Sequence, residues 1–429
     1  MFREYKLKNK MLKKTLKTLI ILLTLGAFSY GAYWYLYIKD TNTEDGVIEN
    51  ESAQGGFTPF NRNALPTKNT AVENGENQST EEEIVTDIEK EIPKLRQLSL
   101  EPVSGISASS TKDTTVFRFI DRGTGHIYEA DSLSSQINKI SNTTLPKTYE
   151  SYWNKNLTAF VTRYLKDDGD DITNFYAELR STGTSTAVTP FEIKGRYLST
   201  DIDQITVSPN KDKIFAWNIE NDRGVGYISA FDEKSRVKIY DTPMTQVIID
   251  WPETNNISIT TKASAVANGY TYIIDTKTGI MKKIFGGVRG LSAKVSRDLS
   301  TVIYSGSKIN GFGTSLFNIK NSISQEMPLK TLVDKCVWSS IRKNEVYCAV
   351  PTEIPDGIYP DDWYKGNVLF IDKIWHLDTA TGEVHLLADL LNLSDKLIDA
   401  TDLALDEKEN FLYFINKRDL TAWSLDLSR

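Results

Sequence analysis

Apolar and polar positions alternate in short runs along most of this chain, and the runs return in pairs. Ile205-Thr206-Val207-Ser208-Pro209 leads through a polar turn to Ile214-Phe215-Ala216-Trp217. The unit comes back as Ile248-Ile249-Asp250-Trp251-Pro252 with Ile257-Ser258-Ile259, and as Ala293-Lys294-Val295-Ser296 with Val302-Ile303-Tyr304. Period-two alternation marks half-buried strands. Recurrence about every 42 to 67 residues in a strand-rich chain predicts a propeller. The expected fold is therefore all-β, a seven-bladed β-propeller over 95–429.

Blade by blade, the pattern reads Gly105 to Ile140, Tyr152 to Ile193, Ile205 to Tyr240, Val247 to Phe285, Leu291 to about Leu329, Leu332 to Leu387, and Leu403 to Leu425. The last blade is one strand short. Arg96-Gln97-Leu98-Ser99-Leu100 precedes blade one without another partner, so it is expected to close the ring and remove exposed strand edges. Asp275-Thr276-Lys277-Thr278-Gly279 and Asp378-Thr379-Ala380-Thr381-Gly382 are expected as turns between third and fourth strands. There aspartate bonds the following backbone and glycine takes the left-handed conformation.

A different pattern opens the chain. Arg3, Lys6, Lys8, Lys10, Lys13, Lys14 and Lys17 stand against a single acid, Glu4, in residues 1–17. Residues 18–38 form an apolar run long enough to cross a bilayer of roughly 30 Å as a helix. Its far end carries Tyr30, Tyr33, Trp34, Tyr35 and Tyr37, rings suited to the headgroup interface. The basic flank is expected to stay cytoplasmic, with the propeller extracytoplasmic on a single-pass cell-membrane anchor. A cleaved signal peptide is the competing reading, with Ser29-Tyr30-Gly31 a poor cleavage site and the run long for one. Residues 39–94 are mostly polar and read as a flexible stalk. Within it, Gly55-Gly56-Phe57-Thr58-Pro59-Phe60 is either a docking peptide or an aromatic spacer.

Composition sharpens this. The chain has 429 residues and a net charge of −7, and the part beyond the apolar run carries close to −13. Such a balance argues against a nucleic-acid partner, whose phosphates need a basic surface. Cys336 and Cys348 are the only cysteines. Two thiols without a histidine cluster make no zinc site, and an oxidising exterior makes a disulfide between adjacent strands of blade six the natural alternative. No metal and no cofactor are expected.

The third-to-fourth-strand turns resemble those of TolB-type and WD40-like propellers. A closer resemblance rests on Asp121-Arg122-Gly123-Thr124-Gly125-His126-Ile127-Tyr128, Cys336-Val337-Trp338, Tyr347-Cys348-Ala349-Val350-Pro351 and Tyr359-Pro360-Asp361-Asp362-Trp363-Tyr364-Lys365-Gly366. With the anchor and stalk, these look like a group of uncharacterised single-pass propeller proteins from candidate-phylum bacteria. Gly123 departs from the alanine or serine expected there. The resemblance implies a fold and a topology, and no activity.

Catalytic signatures are absent: no Gly-x-Ser-x-Gly elbow, no Walker loop, no dinucleotide fingerprint. Gly123-Thr124-Gly125 and Gly224-Val225-Gly226 read as hairpin glycines. His126, His376 and His385 read as strand histidines, and Asp167-Asp168-Gly169-Asp170-Asp171 as a solvated turn lacking the ligand spacing of a calcium loop. In a propeller, the loops joining second to third strands share one rim with those joining blades. That rim should carry Arg122, the Asp167–Asp171 turn, Asp222, Arg223, Lys308, Phe312, Arg418 and the long 355–366 insertion, and loops on a rigid scaffold commonly bind. The expected binding residues are Tyr359, Asp361, Asp362, Trp363 and Tyr364 with Arg122, Arg223, Phe312 and Arg418. Aromatic groups beside acids suit a peptide, sugar or cationic partner. The competing reading has Trp363 and Tyr364 plugging the propeller or covering a neighbouring blade. Two functions compete: a protein- or ligand-binding scaffold at the cell envelope, and an envelope polysaccharide hydrolase using paired carboxylates in the funnel. Asp361 and Asp362 are adjacent and would point apart in a strand, which weakens the second.

Overall fold

The computed structural model describes residues 92–165, 172–183, 190–199, 202–309 and 311–429. The cytoplasmic tail, apolar run, most of the stalk and the Asp167–Asp171 turn expected above lie outside the described residues. Among the described residues no helix is long and apolar enough to cross a membrane.

Seven four-stranded antiparallel sheets make the propeller. Blade one is Val103–Ser110, Thr115–Asp121, Ile127–Asp131 and Ile137–Ser141. Blade two is Thr148–Trp153, Ala159–Leu165, Ile172–Ser181 and Phe191–Tyr197. Blades three to five run Ile202–Val207 through Val237–Thr242, Val247–Glu253 through Met281–Arg289, and Ser292–Val295 through Ile323–Glu326. Blade six holds Cys336–Trp338, Glu345–Pro351, Asp372–Asp378 and Val384–Asp389. Blade seven takes Ala400–Leu405, Phe411–Asn416 and Ala422–Asp426, and its fourth strand is Leu95–Gln97 from the start of the fold.

That closure pairs Leu95 with Leu425, Arg96 with Ser424 and Gln97 with Trp423. The strand is shorter than the five residues expected, yet Leu98 N still donates to Ala422 O at 2.8 Å. Leu98 is fully buried among Phe117, Phe119 and Tyr413, between blades seven and one. The apolar cores lie between neighbouring sheets in this way: Phe215 and Trp217 of blade three meet Trp251 and Ile257 of blade four.

The two aspartate turns fall between third and fourth strands, as expected. Asp275 accepts from Lys277 N and Thr278 N, and Gly279 has φ +69°. Asp378 accepts from Ala380 N, and Gly382 has φ +80°. One expectation is corrected. Gly224 and Gly226 sit inside the third strand of blade three, not in its hairpin, and a Cβ there would come within 2.2 Å of Trp217 and 2.7 Å of Phe215. They are glycines because two buried rings lie across their backbone.

Cys336 and Cys348 face each other on the first two strands of blade six, Trp338 faces Val346, and the cysteines are disulfide-bonded.

Candidate functional site

The connection between the second and third strands of blade six, residues 352–371, folds back over the propeller as a strap. A short helix at Asp361–Tyr364 lies at its centre. The carboxylate of Asp361 accepts from Ser264 Oγ at 3.0 Å and Ala265 N at 2.7 Å, both in blade four. Ser307 of blade five donates to Tyr359 O. The strap thus crosses blade five and is tied down on blade four. Asp362 accepts from Ile358 N and from Asn367, so it braces the strap internally.

Several expected binding residues are therefore structural. Tyr359, Trp363 and Phe312 are buried, clustered with Phe370 and Leu332. The expectation that these rings form an open contact rim is corrected: an insertion this long has its own apolar residues to hide and has made a small core from them. Arg418 donates through Nε and a terminal nitrogen to Phe370 O, clamping the strap's end. Arg223 pairs with Asp241 at the surface, and Arg122 is half-buried on the same rim. His126 closes the rim loop that carries Arg122, one residue before its strand, while His376 stands opposite His385 across the outer strands of blade six.

Beneath the strap lies a charged knot that sequence reasoning missed. Lys335 is fully buried, 2.8 Å from Asp372 and paired with Asp399, both also fully buried. Its ammonium also donates to Ala400 O at 2.8 Å. The second oxygen of Asp399 accepts from Trp363 Nε1 and Phe370 N, each at 3.0 Å. One cation between two carboxylates leaves a buried excess of negative charge. Burial pushes the Asp372 carboxyl up to about 6, with the Asp399 charge adding to it and Lys335 opposing it.

Inward of the strap, at the mouth of the central channel, is a cavity of about 520 Å³. The first strands of blades four, five and seven line it together with Asp334, Trp363, Tyr364 and Lys417. Most of its charged groups are occupied. Asp334 accepts from Ser292 Oγ at 2.7 Å and Tyr364 OH at 3.1 Å. Lys294 donates to Cys336 O at 2.6 Å, and Lys417 Nζ sits 5.0 Å from the centre of the Trp363 ring.

Asp402 is the exception. It sits in a bulge where the register jumps from Thr401 to Ala404, with φ +53°. This left-handed conformation is uncommon for a residue with a side chain. Its side chain is open to solvent in the cavity, and among the described residues no hydrogen-bond or ion-pair partner for its carboxylate is found. Confinement by the channel walls raises its carboxyl above the usual range, with Glu150 and Asp334 adding to this and Lys294 and Lys417 opposing it. One sequence signal was available: Asp402 stands immediately before the apolar run Leu403-Ala404-Leu405, just outside the expected start of blade seven.

No protein-family model and no curated protein matches the chain. Among solved structures, the chain is similar to TolB from Acinetobacter baumannii, at 11% identity over 61% of this chain and 59% of that one, with a TM-score of 0.38. The chain thus spans about three-fifths of that relative. It is also similar to an oligogalacturonate lyase from Vibrio parahaemolyticus, at 9% identity over 77% of this chain and 98% of that one, TM-score 0.46. The GH74 enzyme of Niastella koreensis is similar at 11% identity over 78% of this chain and 54% of that one, TM-score 0.49. These are likenesses of fold alone.

Proposed function

We propose that this is a membrane-anchored, extracytoplasmic propeller that binds a protein or cell-envelope ligand at the mouth of its central channel. The anchor rests on the basic residues 1–17 followed by the apolar, aromatic-ended 18–38. Binding rests on one observation above all, the 520 Å³ cavity roofed by a tied-down strap and holding the unpaired Asp402 carboxylate. A rigid, largely preformed concave site with a few convergent polar groups is what ligand sites commonly look like. Photocrosslinking in intact cells, comparing the natural chain with Ala293→Trp, tests the reading. The new indole would fill the cavity, since Ala293 lines it. Capture per folded molecule should be lost even where the larger ring lowers the melting temperature, since Ala293 also packs on the Val295 and Val302 core. Undiminished capture by a folded Ala293→Trp protein would overturn the reading.

A second reading, hydrolysis of envelope polysaccharide, is favoured by Asp402 and Asp334 lining the same cavity, one of them with a raised carboxyl pKa. Asp361 and Asp362 play no part in it, since both serve the strap. Release of new reducing ends from cell-wall polysaccharide by the natural chain but not by Asp402→Asn would favour it over simple binding.

A further inference from the structure

We propose that Asp402 anchors a primary ammonium group carried on a short apolar stem, as in a lysine side chain or an alkyl amine. This deepens the channel-mouth reading above and rests on it. The cavity separates its charges into those already used and one that is not. Lys294 is held by Cys336 O, Lys417 lies over the Trp363 ring, and Asp334 accepts from Ser292 and Tyr364. Asp250 accepts from the backbone of Trp251 at 2.9 Å. Asp402 alone offers a carboxylate with both oxygens unclaimed by the described residues, directed into the open volume by its bulge.

The ligand's chemistry follows from what surrounds that carboxylate. An anion would meet Asp250, Asp334 and Asp402 against only Lys294 and Lys417, a lining of net negative charge. A divalent cation needs several oxygen ligands converging, and among the described residues no three acidic, histidine or cysteine side chains stand close enough to hold a metal. A single ammonium needs only one carboxylate and neutral acceptors. Ile248, Leu420 and the Tyr364 ring supply apolar wall for a stem.

The test is calorimetric titration of the full-length protein with n-pentylammonium, and with n-pentanol and pentanoate as neutral and anionic isosteres. Ammonium should bind at least about tenfold tighter than either isostere, the difference one well-placed charge-assisted bond makes. Asp402→Asn should erase that preference at unchanged melting temperature, because asparagine tolerates the left-handed backbone. Glu383→Gln, at an exposed carboxylate in the outer turn of blade six, should leave the affinity within about twofold. Lowering the pH should weaken binding as the Asp402 carboxyl takes up a proton among Glu150, Asp334, Lys294 and Lys417. No preference for ammonium, or equal losses in the two variants, would overturn the proposal. If ammonium fails to bind while Ala293→Trp still abolishes capture in cells, this proposal falls and the channel-mouth reading stands. If capture also survives Ala293→Trp, both fall.

Discussion

The seam that closes the ring and the strap that covers its channel both join distant parts of the chain, but by different means. At the seam, Leu95–Gln97 meets Ala422–Asp426 through backbone pairing, and the partners differ by more than 300 positions. Ordinary strand chemistry suffices: an apolar alternation, a buried Leu98, and main-chain donors that find acceptors. The strap instead holds by side chains, with Asp361 reaching blade four and Trp363 and Phe370 bonding to Asp399 of blade seven. Backbone pairing is generic and tolerant of sequence. A side-chain tie depends on particular atoms, and here on a buried cation between two carboxylates.

The largest effect should come from breaking the seam. Deleting residues 95–101 should leave the last blade with an open edge and its neighbouring core exposed, giving aggregation on refolding. Deleting residues 40–80 should leave the melting temperature unchanged, and equal stability of the two truncations would refute the contrast. Next comes the strap's charged knot. Asp399→Ala should cost about 3–5 kcal/mol in denaturant unfolding, because Lys335 keeps only one carboxylate and two buried donors lose their acceptor. A loss below about 1 kcal/mol would mean that the knot is incidental to the strap.

A smaller effect should appear with pH. Asp372 has a folded-state pKa of about 6, above its unfolded value of roughly 3.9. The folded protein therefore holds more protons between these values, and stability from this group is full below the unfolded pKa and lost as pH rises through about 6. The drop should be about 2–3 kcal/mol across that window and should flatten in Asp372→Asn. A wild-type curve that stays flat from pH 4 to 6.5 would remove this contribution. Smallest of the four, Tyr364→Phe should cost about 1–2 kcal/mol by taking one bond from Asp334. Seam unfolding, followed by hydrogen exchange at Leu98, should not respond to it.

What was legible divides along the same line. Blade number, closure by the N-terminal strand, the aspartate–glycine turns and the Cys336–Cys348 register all follow from period-two patterns and local turn chemistry. Each needs only neighbours in sequence or a generic partner strand. Gly224 and Gly226 misled because a glycine that clears a ring across a sheet looks, in sequence, like one that makes a turn. Tyr359, Trp363 and Phe312 misled for a related reason. Aromatic residues in a long rim loop have the same composition whether they face a partner or fold into a core of their own.

The sequence by itself determined the sheet architecture, because alternation sets which face of each strand is buried and spacing sets how many sheets the chain can form. Only the tertiary structure decided the chemistry of the channel mouth. Lys335, Asp372 and Asp399 are 64 positions apart at the extremes, and Asp402 gains its environment from Glu150, Lys294, Asp334 and Lys417 on separate blades. Electrostatic fields and hydrogen bonds act over a few ångströms in space. The closing of the ring, not the order of residues, brings those groups within that distance.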